Sequence, residues 1–246
     1  MYYKNMNWSE FENMLLTKHI YTINNNSSKN IVLFGSCHMA TIGYMLNKIL
    51  NYQSNEYNIH IIISWFFENK GLEKFDMKKI NDNINFLVSS CDVFIYHHHI
   101  NDYSINATIL PSITKENCLK LIIPNYRLDY TINYDIYSKS LNTLSQHILN
   151  SSFPEFIFVI ENHKNIMFFN TIHHPTHYLL FLQTESIRNR MLNYNEKMSI
   201  NNYFDVSNRN IFKQFDNNYV YLPGKENITN DISNFTGINM NADYFD

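Results

Sequence analysis

The chain has 246 residues, of which 45% are hydrophobic and 15% aromatic. That is enough to bury one large α/β core and too apolar for a disordered chain. Net charge is -3, and no basic block stands out among the 19 Lys and Arg residues, which argues against a nucleic-acid partner.

Residues 8–22 read as a short amphipathic helix marked by Phe11, Leu15 and Ile20. The polar run at residues 24–28 reads as a loop. Ile31-Val32-Leu33-Phe34 is a continuous apolar run, the pattern of a strand buried on both faces, and it ends at Gly35. After Cys37, the residues Met39, Ile42, Leu46 and Ile49 recur at helical spacing, so Gly35 to His38 form a strand-to-helix turn. The pattern repeats with a strand over residues 59–65, a helix over 77–87, a strand over 92–96 and a strand over 119–123 that runs into Pro124. Residues 136–150 are expected to be helical, and Phe156 to Ile160 fit either strand or helix. Pro175 precedes a helix over residues 176–192. The tail after Asn193 is polar and Asn-rich with weak periodicity. Strands alternating with helices predict an α/β fold of three layers, a mainly parallel sheet with helices on both faces. The expected organisation is one domain over residues 1–246, with its core at about 30–192 and a polar extension over 193–246.

Three cysteines, Cys37, Cys91 and Cys118, stand far apart, and no CxxC pair exists. This argues against a disulfide framework and a Cys-only zinc site, and for a reducing compartment. The first residues lack the charged-then-apolar pattern of a signal peptide. The longest apolar stretch, residues 59–67, is interrupted by His60 and Ser64 and falls short of the ~20 residues that span a bilayer. A soluble, cytoplasmic protein is therefore expected.

Chemistry concentrates at the carboxyl ends of the expected strands, where parallel α/β sheets gather ligands. Cys37 stands at a helix N-terminus, where backbone N–H groups and the helix dipole favour a thiolate. The same N–H groups suit a developing oxyanion. Gly35 would let the chain turn and a substrate approach. The turn also fits a buried structural cysteine, because free Cys is among the most buried residue types. His174, in the run His173-His174-Pro175-Thr176, sits ahead of a Pro-started helix and is the candidate general acid/base. Its partnership with the helix N-terminus would lower the Cys37 pKa. One of the two adjacent histidines could instead merely cap the helix. The run His97-His98-His99 follows the third expected strand, with His97 and His99 on one face and His98 on the other. It lacks partners at ligand spacing, so a polar site wall is expected there and no metal.

These clusters, in this order, resemble the WcbI family of polysaccharide-biosynthesis enzymes, a variant of the SGNH/GDSL hydrolase fold. The family's Gly-Asn-Cys-Gln motif corresponds to Gly35, Ser36, Cys37 and His38. Its segment after the third strand corresponds to the region of His98. Its Ile-Pro segment matches Ile123-Pro124-Asn125-Tyr126, followed by Asp129-Tyr130 and Tyr134-Asp135. Its Asn-His-Pro-Thr motif matches His173 to Thr176. The likeness covers roughly residues 30–192. It departs at Ser36, His38 and His173, which replace Asn, Gln and Asn. Against ordinary SGNH hydrolases, Cys37 stands where the nucleophilic Ser would be, and Thr171 where the Asp before the catalytic His would be. Asn101-Asp102 falls near the place of that fold's conserved Asn.

The resemblance implies a transferase that moves an acetyl group from acetyl-CoA to a carbohydrate in glycan biosynthesis. Cys37 and His174 would be catalytic, and Gly35, Ser36, His38 and His98 would position the oxyanion and substrate. Arg127 and Arg188, with Lys120 and Arg190, are candidates for the CoA phosphates by position or charge alone. Two alternatives use the same residues: a thiol esterase or deacetylase with water as acceptor, and a non-catalytic module that binds a glycan or nucleotide. No metal, nucleic acid or membrane span is expected.

Overall fold

The apolar runs do become strands, and their order in the sheet decides where a site can form. The computed structural model describes residues 20–23, 26–50, 56–64, 77–97, 107–128, 133–166, 168–171 and 174–213. The chain divides into two compact units, Met1–Ile122 and Ile123–Asp246. Among the described residues no helix is long and apolar enough to cross a membrane.

The first unit contains β1 (Ile20–Ile23), β2 (Lys29–Gly35), α1 (His38–Leu50), β3 (Tyr57–Ile63), α2 (Met77–Ser90), β4 (Val93–His97) and α3 (Leu110–Ile113). β5 (Leu119–Ile123) follows and runs across the division between the units. The sheet order is β1-β3-β2-β4-β5. β2 lies parallel to both β3 and β4, with Ile31 opposite Ile59 on one side and Val93 on the other. The fold is thus α/β, a mainly parallel five-stranded sheet.

The chain leaves β2 through α1 to reach β3 on one side. It then passes through α2 to β4 on the other side of β2. Because crossovers are right-handed, opposite directions of travel put the two helices on opposite faces. Side chains agree. Leu33 and Ile61 point to the α1 face, where a Cβ on Gly43 would lie only 2.5 Å from Ile61 Cδ1. Val32, Phe34, Ile62 and Phe94 point the other way and pack with Ile84 and Val88 of α2 and Leu110 of α3. This is why β2 reads as an unbroken apolar run: both its faces are covered.

β1 corrects the expected N-terminal helix. Residues 20–22 belong to a strand, antiparallel to β3, with Ile20 opposite Ile62 and Ile23 opposite Ile59. The alternation of buried Tyr21 and Ile23 with Thr22 has a period of two, and edge pairing outweighs the weak helical spacing. Residues 8–19 of that expectation lie outside the described residues. β1 also resolves the polar interruption in β3. His60 pairs with Thr22 across the strands, its Nδ1 2.9 Å from Thr22 Oγ1 and its Nε2 3.3 Å from Asn30 Oδ1. Burial pushes this imidazole down to about 4, so it is neutral in the fold.

The described part of the second unit is largely helical. α4 (Tyr134–Leu149) is capped by Asn133, whose side chain accepts from the Asp135 and Ile136 amides. Residues 156–160, open between strand and helix in the sequence, form a 3-10 turn, Pro154–Ile157, and then α5 (Phe158–Asn162). A short hairpin follows, β6 (Phe169–Thr171) with β7 (His174–Pro175). α6 (His177–Met191) has a Thr176 cap accepting from the Leu179 amide at 3.2 Å. Pro175 therefore precedes the cap and is not the first helical residue. α6 is buried nearly all round, and two of its polar side chains are bonded inside: Gln183 accepts from Tyr126 OH at 2.8 Å, and Thr184 Oγ1 donates to Leu180 O at 2.7 Å. The polar stretch after Asn193 is not featureless. Ser199 and Asn202 form a capping box on α7 (Ile200–Phe204), and Asp205 caps α8 (Val206–Phe212). These helices are held by an aromatic cluster in which Tyr203 meets Phe168 edge-on and Tyr178 at a tilt, and Phe212 packs tilted against Tyr178 and Phe181.

Candidate functional site

The chain reverses its direction across the sheet at β2 and β4. In open parallel sheets the crevice at such a switch point, outside the strands' carboxyl ends, is where ligands bind. Here those ends are Gly35 and His97. The turn Gly35-Ser36-Cys37-His38 is closed by hydrogen bonds from the Met39 amide to Ser36 O and from the Ala40 amide to Cys37 O, each 3.0 Å, and opens directly into α1.

His97 completes this turn. Its Nδ1 accepts a hydrogen bond from the Ser36 amide at 3.3 Å. An accepting Nδ1 carries no proton, so the neutral ring holds its proton on Nε2 and is a donor there. The ring lies over Gly35: a Cβ at that residue would sit 2.8 Å from His97 Nδ1 and 2.8 Å from Met39 Cε. Gly35 is thus required by the close approach of the imidazole. The His38 ring stands edge-on to His97, with centroids 6.1 Å apart. Both histidines are buried. Ser36 Oγ is also buried and has no hydrogen-bond partner among the described residues.

Cys37 is half-buried. Burial of its thiol is the dominant influence on its acidity and pushes it up to about 11, against the opposing pull of the Cys37 and His38 backbone N–H groups. The expected lowering of the thiol pKa is therefore reversed, because loss of solvent outweighs two amides at the start of a helix. At neutral pH Cys37 is a thiol, and the amides against its sulfur favour negative charge that develops there during a reaction.

Cys37, Gly35, Ser36 and His38 all belong to the first unit, and so does His97 of the expected polar wall, where the resemblance assigns a positioning role to His98 instead. The signal for His97 was present: it is the last residue of a strand, at the carboxyl edge. His98, Asn101 and Asp102 lie outside the described residues, as do His173, Asp129 and Tyr130. His174 belongs to the second unit, where it is half-buried on β7 opposite Thr171. The adjacent Thr176 amide donates to Phe168 O at 2.7 Å, which fixes the backbone beside it.

The basic candidates differ in their surroundings. Arg127 and Lys120 are exposed. Arg188 is paired with Glu185 at 2.8 Å. Arg190 lies 3.5 Å from Glu155, donates to Ser152 O at 3.4 Å and covers the Phe153 ring. Among the described residues no three His, Cys, Asp or Glu side chains gather at metal-binding distance.

The class these features define is an α/β protein with a Gly-Ser-Cys-His turn at the switch point of its sheet. No family model, curated protein or solved structure matches this chain.

Proposed function

We propose that the chain is an acyltransferase whose acyl group is handled at the Gly35–His38 turn. The observation that carries this reading is the placement of the Cys37 thiol against two backbone N–H groups at the N-terminus of α1, beside His38 and His97. Preorganised N–H donors are the usual means of stabilising a tetrahedral oxyanion. His97 adds an Nε2 donor fixed in tautomer by Ser36.

The resemblance supplies the finer reading. The donor is acetyl-CoA and the acceptor a carbohydrate hydroxyl in glycan biosynthesis, in a cytoplasmic setting. The acetyl–sulfur bond of the donor breaks, an ester bond to the sugar oxygen forms, and CoA leaves as the thiol. In this reading His174 accepts the hydroxyl proton and returns it to the departing sulfur. Cys37 acts at rest as a thiol; as a nucleophile it would first have to lose its proton to a neighbouring base.

The test combines binding and turnover. The protein is titrated with CoA and acetyl-CoA in a thermal-shift assay, then supplied with acetyl-CoA and a panel of sugars while free CoA thiol is followed. Stabilisation by about 2.7 kcal/mol is expected at 100 times the dissociation constant, with sugar-dependent release of CoA. Hydrolysis of simple acyl esters with no response to CoA would replace the transferase by an esterase. Neither binding of CoA nor ester turnover would leave a binding module.

A further inference from the structure

Cys91 and Cys118 stand 27 positions apart, and nothing in their sequence spacing pairs them. The fold does. Cys91 immediately precedes Asp92 and β4, and Cys118 immediately precedes β5, the next strand in the sheet. The two strand entries are tied together by the Leu119 amide donating to Asp92 O at 2.9 Å. Neighbouring strands lie about 4.8 Å apart, inside the ~4.4–6.8 Å Cα separation that disulfides span. The sulfurs are 3.6 Å apart and in hydrogen-bond contact.

We propose that Cys91 and Cys118 form a redox-active dithiol that closes to a disulfide by exchange with a low-molecular-weight disulfide. The two sulfurs are unequal, and this sets the order of events. Cys91 is fully buried, and its sulfur lies 3.1 Å from Val88 O, which takes its single S–H proton when Cys118 does not. Its hydrogen bond with Cys118 and its burial hold it protonated. Cys118 is the more exposed residue of the two, at 8% against 0% for Cys91. The hydrogen bond from Cys91 favours its thiolate against burial, and Lys120 and Lys115 add to that. Cys118 is therefore the attacking thiolate and Cys91 the resolving thiol.

In the first step the Cys118 thiolate attacks one sulfur of the external disulfide, forming a mixed disulfide and releasing one thiolate. In the second, Cys91 loses its proton and its sulfur attacks Cys118 Sγ, expelling the second thiolate. Two protein thiols are oxidised by two electrons, and one disulfide is reduced to two small thiols. The link would join the entries of β4 and β5 within the core cluster that also holds Val32, Phe34 and Phe94. Cys37, at the carboxyl edge, takes no part.

The 246-residue chain is incubated with graded ratios of oxidised to reduced glutathione, quenched in acid, unfolded and alkylated, and its peptides are mapped by mass. A time course should show glutathione on Cys118 first, then a linked Cys91–Cys118 peptide pair, with Cys37 alkylated throughout. Cys37→Ser should behave as the parent chain. Cys91→Ser should stop at the mixed disulfide on Cys118. Three alkylated cysteines at every ratio would overturn the proposal, as would a disulfide that contains Cys37 or joins two chains. The time course on the unmodified chain decides the matter even where a variant fails to fold.

Discussion

The Ser36 amide donates to His97 Nδ1 across 3.3 Å, joining the turn after β2 to the end of β4 where the chain reverses its direction across the sheet. The bond fixes the imidazole over Gly35 and fixes its tautomer, so that backbone geometry at the turn and proton position on the ring are set together. Replacing Gly35 by Ala drives a methyl group to 2.8 Å from that ring and from Met39 Cε. Overpacking of this kind costs about 1–3 kcal/mol. Urea denaturation of Gly35→Ala should show that loss, and the double variant with His97→Ala should recover part of it. Simple additivity of the two changes would mean that His97 is not what Gly35 accommodates.

Gly43 tests the packing of α1 on the sheet. Ala in a helix interior is favoured over Gly by about 1 kcal/mol from propensity alone. Here the added Cβ would lie 2.5 Å from Cδ1 and 2.7 Å from Cγ1 of Ile61, which is fully buried. The clash should win, and Gly43→Ala should be destabilised by roughly 1 kcal/mol or more. Adding Ile61→Ala removes both Cδ1 and Cγ1 and should reverse the sign of the Gly43→Ala effect measured in that background. Gly43→Ala more stable than the parent chain would show the contact to be slack.

Cys37 should behave as a hindered thiol. With its pKa near 11, its alkylation by iodoacetamide should rise about tenfold per pH unit from pH 7 to pH 10 with no plateau. The rate is followed by mass mapping of the Cys37 peptide. A plateau beginning near pH 7 would show that an activated thiolate exists at rest and would favour a covalent mechanism.

Stability should depend on pH through His60. Its folded pKa is about 4 and its usual value is 6.5, so the unfolded chain binds a proton that the folded chain refuses between these values. The stabilisation of the neutral imidazole is complete above pH 6.5 and is lost as pH falls toward 4, by up to about 1.4 kcal/mol per pH unit for one proton. Urea melts at pH 7, 6, 5 and 4.5 should follow this slope, and His60→Gln should flatten it. An unchanged slope in His60→Gln would assign the effect to other groups.

The proposed roles of Cys37 and His174 separate by kinetics. His174→Ala should lower CoA release at least about a hundredfold, the low end for loss of a general base, while binding of CoA in the thermal-shift assay persists. Cys37→Ser should keep substantial activity where the thiol only lines the acyl site, and should lose nearly all of it where an acetyl-cysteine forms. Intact-mass detection of an acetylated Cys37 distinguishes these two outcomes directly. Full activity in His174→Ala would remove that residue from the mechanism.

Local periodicity determined much of this protein. The apolar run Ile31 to Phe34 becomes β2, buried on both faces, and the helical spacing from Met39 to Ile49 becomes α1. The turn between them, with Cys37 at the head of a helix, was therefore legible, because a strand and a helix adjacent in the chain leave few choices for the link between them. Only tertiary structure decided what meets that turn. Ser36 and His97 are 61 residues apart, Cys91 and Cys118 are 27, and Ile20 finds Ile62 across an antiparallel edge. Each of those meetings follows from the order of strands in the sheet. Strand order is set by which long-range apolar surfaces bury together and by the hand of the crossovers, and neither leaves a mark in a short window of sequence. The same holds for acidity: the helix N-terminus that favours a Cys37 thiolate can be read from the chain, but the desolvation that outweighs it arises only when the core closes around the sulfur.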